Sequence, residues 1–260
     1  MNAAPVSLAV SRSGTETSGP PLIIAHGLIG SGRNWGAAAR LLGSKRPVVA
    51  VDMRNHGSSP WDPDHSYQAL AEDLAAVIDA EGGQADVLGH SMGGKAAMVL
   101  ALTHPDRLRK LVIVDIAPVA YGHSQADVVD ALRATDLSGV ARRAEADPRL
   151  AMHVSDPALR AFLLQSLAVE AGVARWKLNL EALANSMPGI MSFPDLDRTF
   201  NGPSLFVTGA ASDYVGHEHH GRIKSLFPQA EFVEIADAGH WVHAEALNPF
   251  VSAVEAFLGS

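Results

Sequence analysis

Short runs of β-branched and other apolar residues alternate with longer amphipathic stretches along the first part of the chain. The runs are Pro21–Ala25 (PLIIA), Pro47–Asp52 (PVVAVD), Ala85–Leu88 (ADVL) and Arg109–Asp115 (RKLVIVD). Apolar residues follow one another in them without a polar alternate, the pattern of strands covered on both faces. The stretches near 33–43, 66–81 and 92–104 predict helices; in Tyr67–Ile78, Leu70, Leu74, Val77 and Ile78 fall at helical spacing. Strands of this kind joined by helices predict a parallel sheet between two helical layers. The segment 11–20 (SRSGTETSGP) reads as a turn between an initial strand and the first core strand. The alternation resumes late, with Ser204–Thr208 (SLFVT), Glu231–Ile235 (EFVEI) and a helix from about Ala246 to Leu258.

Residues 119–199 interrupt the alternation. No strand is expected there. Ala126–Arg133, Ala158–Glu170 and Arg175–Asn185 read as helices, separated by Pro148, Pro157, Pro188 and Pro194. The expected organisation is a core domain built from residues 1–118 and 200–260, with 119–199 a helical cap inserted before the last two strands.

Composition narrows the class. The chain has 260 residues, 47% hydrophobic and 18% charged, which suits one large α/β domain and excludes a disordered protein. There is no cysteine, so disulfide scaffolds, thiolate zinc sites, iron–sulfur clusters and a cysteine nucleophile are excluded. A formal charge of −8 argues against a nucleic-acid partner. No stretch approaches the roughly 20 apolar residues of a membrane span, and the first residues lack a basic segment followed by an apolar one. The expectation is a cytoplasmic protein acting on a small molecule. No pattern in the chain specifies an oligomeric state.

The chemistry-bearing motif is Gly89-His90-Ser91-Met92-Gly93, a G-x-S-x-G string that follows a predicted strand and opens a predicted helix. A serine lifted above a sheet at so sharp a turn needs strained backbone angles and neighbours without Cβ atoms. The turn also sets Ser91 at the positive end of the following helix. His26-Gly27-Leu28-Ile29-Gly30 follows PLIIA, where a loop supplies a second backbone donor. The Leu28 and Met92 N–H groups are therefore the candidate oxyanion hole, with His26 reading as a loop-orienting residue. A serine hydroxyl needs an imidazole to take its proton, and His240, between EFVEI and the final helix, is the candidate base. His217, His219 and His220 (GHEHHG) lack the spacing of a zinc motif and read as a solvated helix start.

Two carboxylates compete to partner His240. Asp115 ends the strand RKLVIVD, on the sheet edge where open α/β sheets do their chemistry. Asp213 lies in the loop after SLFVT. Trp35 and Trp241, flanking the oxyanion loop and the base, read equally as pocket walls and as core. Phe162, Leu163, Leu167 and Trp176 read as residues packing the cap onto the sheet. Asp52 and Arg54 read as loop organisers, with substrate contact an alternative for Arg54. Lys95, a charge among small residues, needs a carboxylate partner if buried, or water at its ammonium if not.

Taken in order, HGLIGSGRNW, VDMRNHGSS, GHSMGGKAAM, HPDRLRKLVIVDIAP and AGHWVHAE resemble the α/β-hydrolase superfamily. Within it they are most similar to the YbfF type of bacterial carboxylesterase and its eukaryotic abhydrolase relatives. The resemblance is collinear from about residue 20 to the C-terminus and weakest across 125–195. It implies a mostly parallel eight-stranded sheet with helices on both faces, and the chain order nucleophile, acid, base. Many superfamily members take the acid at the third residue past a strand-ending glycine. Counted from Gly209, that residue is Ser212. The subgroup resemblance implies Asp115 as the acid, with the Ser212 hydroxyl supporting its contact to His240. The implied activity is hydrolysis of carboxylic esters, thioesters included, of short- to medium-chain acyl groups, requiring neither metal nor organic cofactor. The alternatives are a carbon–carbon bond hydrolase or cofactor-free haloperoxidase using the same residues, and a ligand-binding protein that keeps the pocket without turnover.

Overall fold

The computed structural model describes residues 4–15, 17, 19–122 and 124–259. Its strands are β1 (Val10–Gly14), β2 (Leu22–Ala25), β3 (Pro47–Val51), β4 (Ala85–His90), β5 (Leu108–Val114), β6 (Leu167–Glu170), β7 (Val173–Trp176), β8 (Ser204–Gly209) and β9 (Ala230–Ile235). Seven of them form one sheet in the order β1-β3-β2-β4-β5-β8-β9. Only β1 runs antiparallel to its neighbour. The sheet is thus mostly parallel but seven-stranded among the described residues, one strand fewer than expected. The backbone ahead of β1 is committed elsewhere: Pro5 has no N–H, and the amides of Val6 and Ala9 donate to Asp73 Oδ1 (2.7 Å) and Ser59 Oγ (2.8 Å).

The two-residue period of each strand divides the core. Ile23, Val49, Val51, Val87, Leu111 and Ile113 face one layer, and Leu22, Ile24, Val48, Leu88, Val112 and Val114 the other. The second layer holds helices α1 (Gly36–Leu42) and α10 (Leu247–Gly259), the latter following the one-turn α9 (Val242–Glu245). The first holds α2 (Tyr67–Ala80), α3 (Met92–Thr103) and α8 (His217–Leu226). Ser66 caps α2 by accepting the Ala69 N–H, and Leu70, Leu74 and Ile78 of that helix are fully buried.

Between β5 and β8 lie α4 (Ala126–Ala134), α5 (Arg143–Leu150), α6 (Pro157–Leu163) and α7 (Leu180–Met191), with the hairpin β6–β7 between α6 and α7. The hairpin corrects two expected helices. The one over Ala158–Glu170 ends at Leu163, and residues 167–170 are strand; Arg175 and Trp176 are strand as well, and α7 begins at Leu180. Ala171 and Gly172 take left-handed φ values of 50° and 78° and reverse the chain in two residues. Leu167 pairs with Trp176 at the hairpin base, where both are buried and the indole N–H donates to Leu132 O at 3.0 Å. Pro148 and Pro188 lie inside α5 and α7 rather than separating helices.

Candidate active site

β4 ends at His90 and α3 begins at Met92, leaving Ser91 at φ 52° and ψ −120°. A non-glycine residue there costs about 1–3 kcal/mol and persists only where its surroundings enforce it. The Ser91 N–H donates to Val114 O (3.1 Å), and its carbonyl accepts the Lys95 N–H (3.0 Å). The turn also depends on bare backbone. A Cβ on Gly93 would lie 2.4 Å from Ala25 O, and one on Gly89 would lie 2.4 Å from Gly93 O.

Asp115, the residue after β5, is buried and likewise left-handed at φ 51°. Its Oδ1 accepts the Gly209 N–H (3.2 Å). Its Oδ2 accepts two bonds, from Ser212 Oγ (2.5 Å) and from His240 Nδ1 (2.7 Å). With Nδ1 as donor, Nε2 is the ring's acceptor. The Tyr214 ring stacks on the imidazole at 4.0 Å, and His90 Nε2 donates to the His240 carbonyl at 2.9 Å. Asp213 is exposed. Ser91 and His240 line one cavity.

The loop after β2 is held by two histidines whose tautomers the hydrogen bonds fix. His26 Nδ1 donates to Gly27 O (2.8 Å) while its Nε2 accepts the Met53 N–H (2.9 Å). His56 Nδ1 donates to Arg54 O (2.8 Å) while its Nε2 accepts the Ile29 N–H (3.2 Å). Burial pushes His26 down to about 4 and His56 to about 3, so both stay neutral. The Gly30 N–H is taken by Gly27 O. Leu28, immediately before the committed amides of Ile29 and Gly30, lines the cavity beside Ser91. Met92 opens α3, where an N–H has no partner within the helix.

Trp35 and Trp241 both line the cavity. Trp35 is also core, 1% exposed and stacked on His243 at 3.9 Å. Trp241 packs against Phe162 at 5.6 Å, and Phe162 and Leu163 line the cavity too, so they do more than pack the segment between β5 and β8. Arg54 is buried in an ion pair with Asp73 (2.6 Å), and Asp52 accepts the Gly32 and Ser58 amides, as loop organisers do. Lys95 departs from both expectations. It is buried, and its Nζ donates to the carbonyls of Ile190 (3.4 Å), Met191 (3.1 Å) and Ser192 (2.6 Å) at the C-terminal end of α7. The negative end of a helix dipole thus stands where a carboxylate was expected. His219 Nδ1 accepts the Gly216 N–H, and His220 stacks on Phe232. Sequence reasoning passed over His90, Tyr214 and Gln125, whose amide donates to Tyr214 Oη at 3.1 Å. His90 was open to notice inside the G-x-S-x-G string; nothing marked the other two.

A serine on a strand-to-helix elbow, with an imidazole–carboxylate pair at the same edge of a parallel sheet, defines the α/β-hydrolase class. The chain belongs to the alpha/beta hydrolase fold family, whose model matches residues 20–247. It is 38% identical over 263 residues to the sn-1-specific diacylglycerol lipase ABHD11 of Mus musculus, covering 98% of this chain and 86% of that protein. It is 38% identical over 240 residues to esterase YbfF of Escherichia coli, covering 92% of each. Among solved structures, a marine microorganism esterase superposes with a TM-score of 0.92 at 37% identity, covering 97% of this chain and 99% of that one. The chain is an esterase/lipase-type, carboxylesterase-like hydrolase. No described helix is long and apolar enough to cross a membrane.

Proposed function

We propose that the chain hydrolyses carboxylic esters, thioesters included, of short- to medium-chain acyl groups through an acyl-enzyme on Ser91. His240 Nε2 takes the hydroxyl proton as Ser91 Oγ bonds to the carbonyl carbon. The Leu28 and Met92 N–H groups hold the oxyanion, and the imidazolium returns the proton to the leaving oxygen or sulfur. A water deprotonated by the same imidazole then attacks the acyl-enzyme, releasing the acid and restoring Ser91. Asp115 holds the Nδ1–H tautomer and offsets the imidazolium charge, with Ser212 steadying its carboxylate. Residues 119–199 act as the cap over this site, and Trp35 and Trp241 as pocket walls.

The observation that carries the reading is the 2.7 Å contact from Asp115 to His240, on the wall of the cavity that Ser91 also lines. Incubation with a fluorophosphonate probe, and with p-nitrophenyl acetate and butyrate, tests it against the Ser91→Ala variant. Labelling and turnover that vanish in the variant are expected. Absence of both in the unaltered chain would instead favour a ligand-binding role.

A further inference from the structure

Ser91 stands where two cavities meet. The larger is lined by His240, Trp241, Phe162 and Leu159 among others. The smaller lies between α3 and the end of α7, lined by Met92, Ile116, Tyr67 and Ile190 but not by His240. Leu28, Ser91, Gln125 and Tyr214 line both.

The reaction assigns a direction to each. At the tetrahedral carbon one substituent is Ser91 Oγ, one is the oxyanion, one is the leaving group and the last is the acyl chain. The leaving oxygen must collect its proton from His240 Nε2, since Nδ1 is bonded to Asp115. The alcohol half therefore lies on the His240 side. Resting on the serine mechanism above, we infer that the smaller cavity is the acyl subsite and the larger one the alcohol subsite. The substrate class is an ester of a short acyl group with a larger, predominantly apolar alcohol.

The small subsite has a fixed far wall. Lys95 Nζ binds three carbonyls of residues 190–192, Tyr67 Oη donates to Ile190 O (2.7 Å), and the Tyr121 N–H donates to Met191 O (2.9 Å). These bonds tie the end of α7 to the elbow helix and to α2, so the wall cannot retreat without breaking buried polar contacts. The small subsite is thus closed at its far end by side chains and backbone that are themselves tied down. It suits a short, unbranched acyl chain. The larger cavity is lined by Phe162, Leu163 and Trp241, apolar and aromatic surface suited to the alcohol.

Two ester series test the assignment. In one the acyl chain lengthens from acetyl to dodecanoyl on a constant p-nitrophenol; in the other the alcohol lengthens from ethyl to decyl on a constant butyrate. The kcat/KM is expected to fall at least tenfold between butyryl and dodecanoyl esters, and to hold or rise along the alcohol series. Ile190→Ala should move outward the chain length at which the acyl series falls without changing the trend along the alcohol series, whereas Phe162→Ala should change the alcohol trend and scale all the p-nitrophenyl esters alike. Dodecanoyl esters turned over as fast as butyryl esters by the unaltered enzyme would overturn the assignment, as would an acyl chain-length limit that moves with Phe162→Ala. The unaltered enzyme decides the matter even if Ile190→Ala fails to fold. Hydrolysis that persists in Ser91→Ala would instead remove the mechanism beneath it, a separate result.

Discussion

Replacing Asp115 by Asn changes one atom and exposes what the carboxylate supplies. Both of its oxygens are committed: Oδ1 to the Gly209 N–H, and Oδ2 to Ser212 and to His240 Nδ1. An amide satisfies this set in neither orientation. With its oxygen toward Gly209, its NH₂ faces His240 and forces the proton onto Nε2, so the ring can no longer accept from serine. With its oxygen toward His240, its NH₂ opposes the Gly209 N–H. In both cases the charge is gone. A 2.7 Å contact places the carboxylate and imidazolium charge centres about 4 Å apart, worth about 4 kcal/mol at an effective dielectric near 20. That alone is about a thousandfold in rate, and the wrong tautomer adds to it. Asp115→Asn is expected to lower kcat on p-nitrophenyl butyrate by about 10³–10⁴, with an unchanged circular dichroism spectrum. The exposed Asp213 serves as the control, Asp213→Asn staying within about threefold of the unaltered enzyme. An Asp115→Asn enzyme keeping a tenth of its kcat, beside a crippled Asp213→Asn, would refute the reasoning.

Two further outcomes follow from groups held off their ordinary ionisation. Burial lowers Lys95 from 10.5 to about 7, so the unfolded chain binds more protons between those values and stability rises with pH across that window. Relative to Lys95→Met, the unaltered protein should gain up to about 5 kcal/mol between pH 7 and 10.5, read by urea unfolding, whereas parallel pH dependences would contradict the lowered ionisation of Lys95. His26 and His243 are pushed down to about 4, and His56 and His65 to about 3, by burial first in every case. The unfolded chain protonates these imidazoles first, so the stability present above pH 6.5 is lost as pH falls, by up to about 1.4 kcal/mol per unit for each. Four such groups rival a whole domain's stability of about 5–15 kcal/mol within two to three units, and Tm should drop steeply from pH 6.5 to 4.5. A flat Tm over that range would show these histidines to be solvated.

The central strands and the elbow were readable because their signals are local. Doubly buried strands leave unbroken apolar runs, and the turn at Ser91 can be built only with Gly89 and Gly93 where they stand. The hairpin β6–β7 was not. Its four-residue strands follow an apolar helix without a break in composition, and what holds them is remote, Trp176 reaching Leu132 across the fold. Pro148 and Pro188 misled because proline ordinarily ends a helix, whereas here each is carried within one. The partners of Lys95 were hidden for a different reason. They are backbone carbonyls some 95 residues away, and no residue type announces a carbonyl. Tyr214 and Gln125 are ordinary residues whose role comes from where the chain brings them.

Ser212 occupies the loop position from which, by the counting rule, many relatives of this fold send out their carboxylate, yet its hydroxyl ends 2.5 Å from the oxygen that Asp115 offers to His240. The negative charge beside the imidazole is thus a fixed address in space, reachable from two neighbouring strands. An acid at 115 with a hydroxyl at 212, and the reverse pairing, would therefore aim at the same point beside His240 Nδ1.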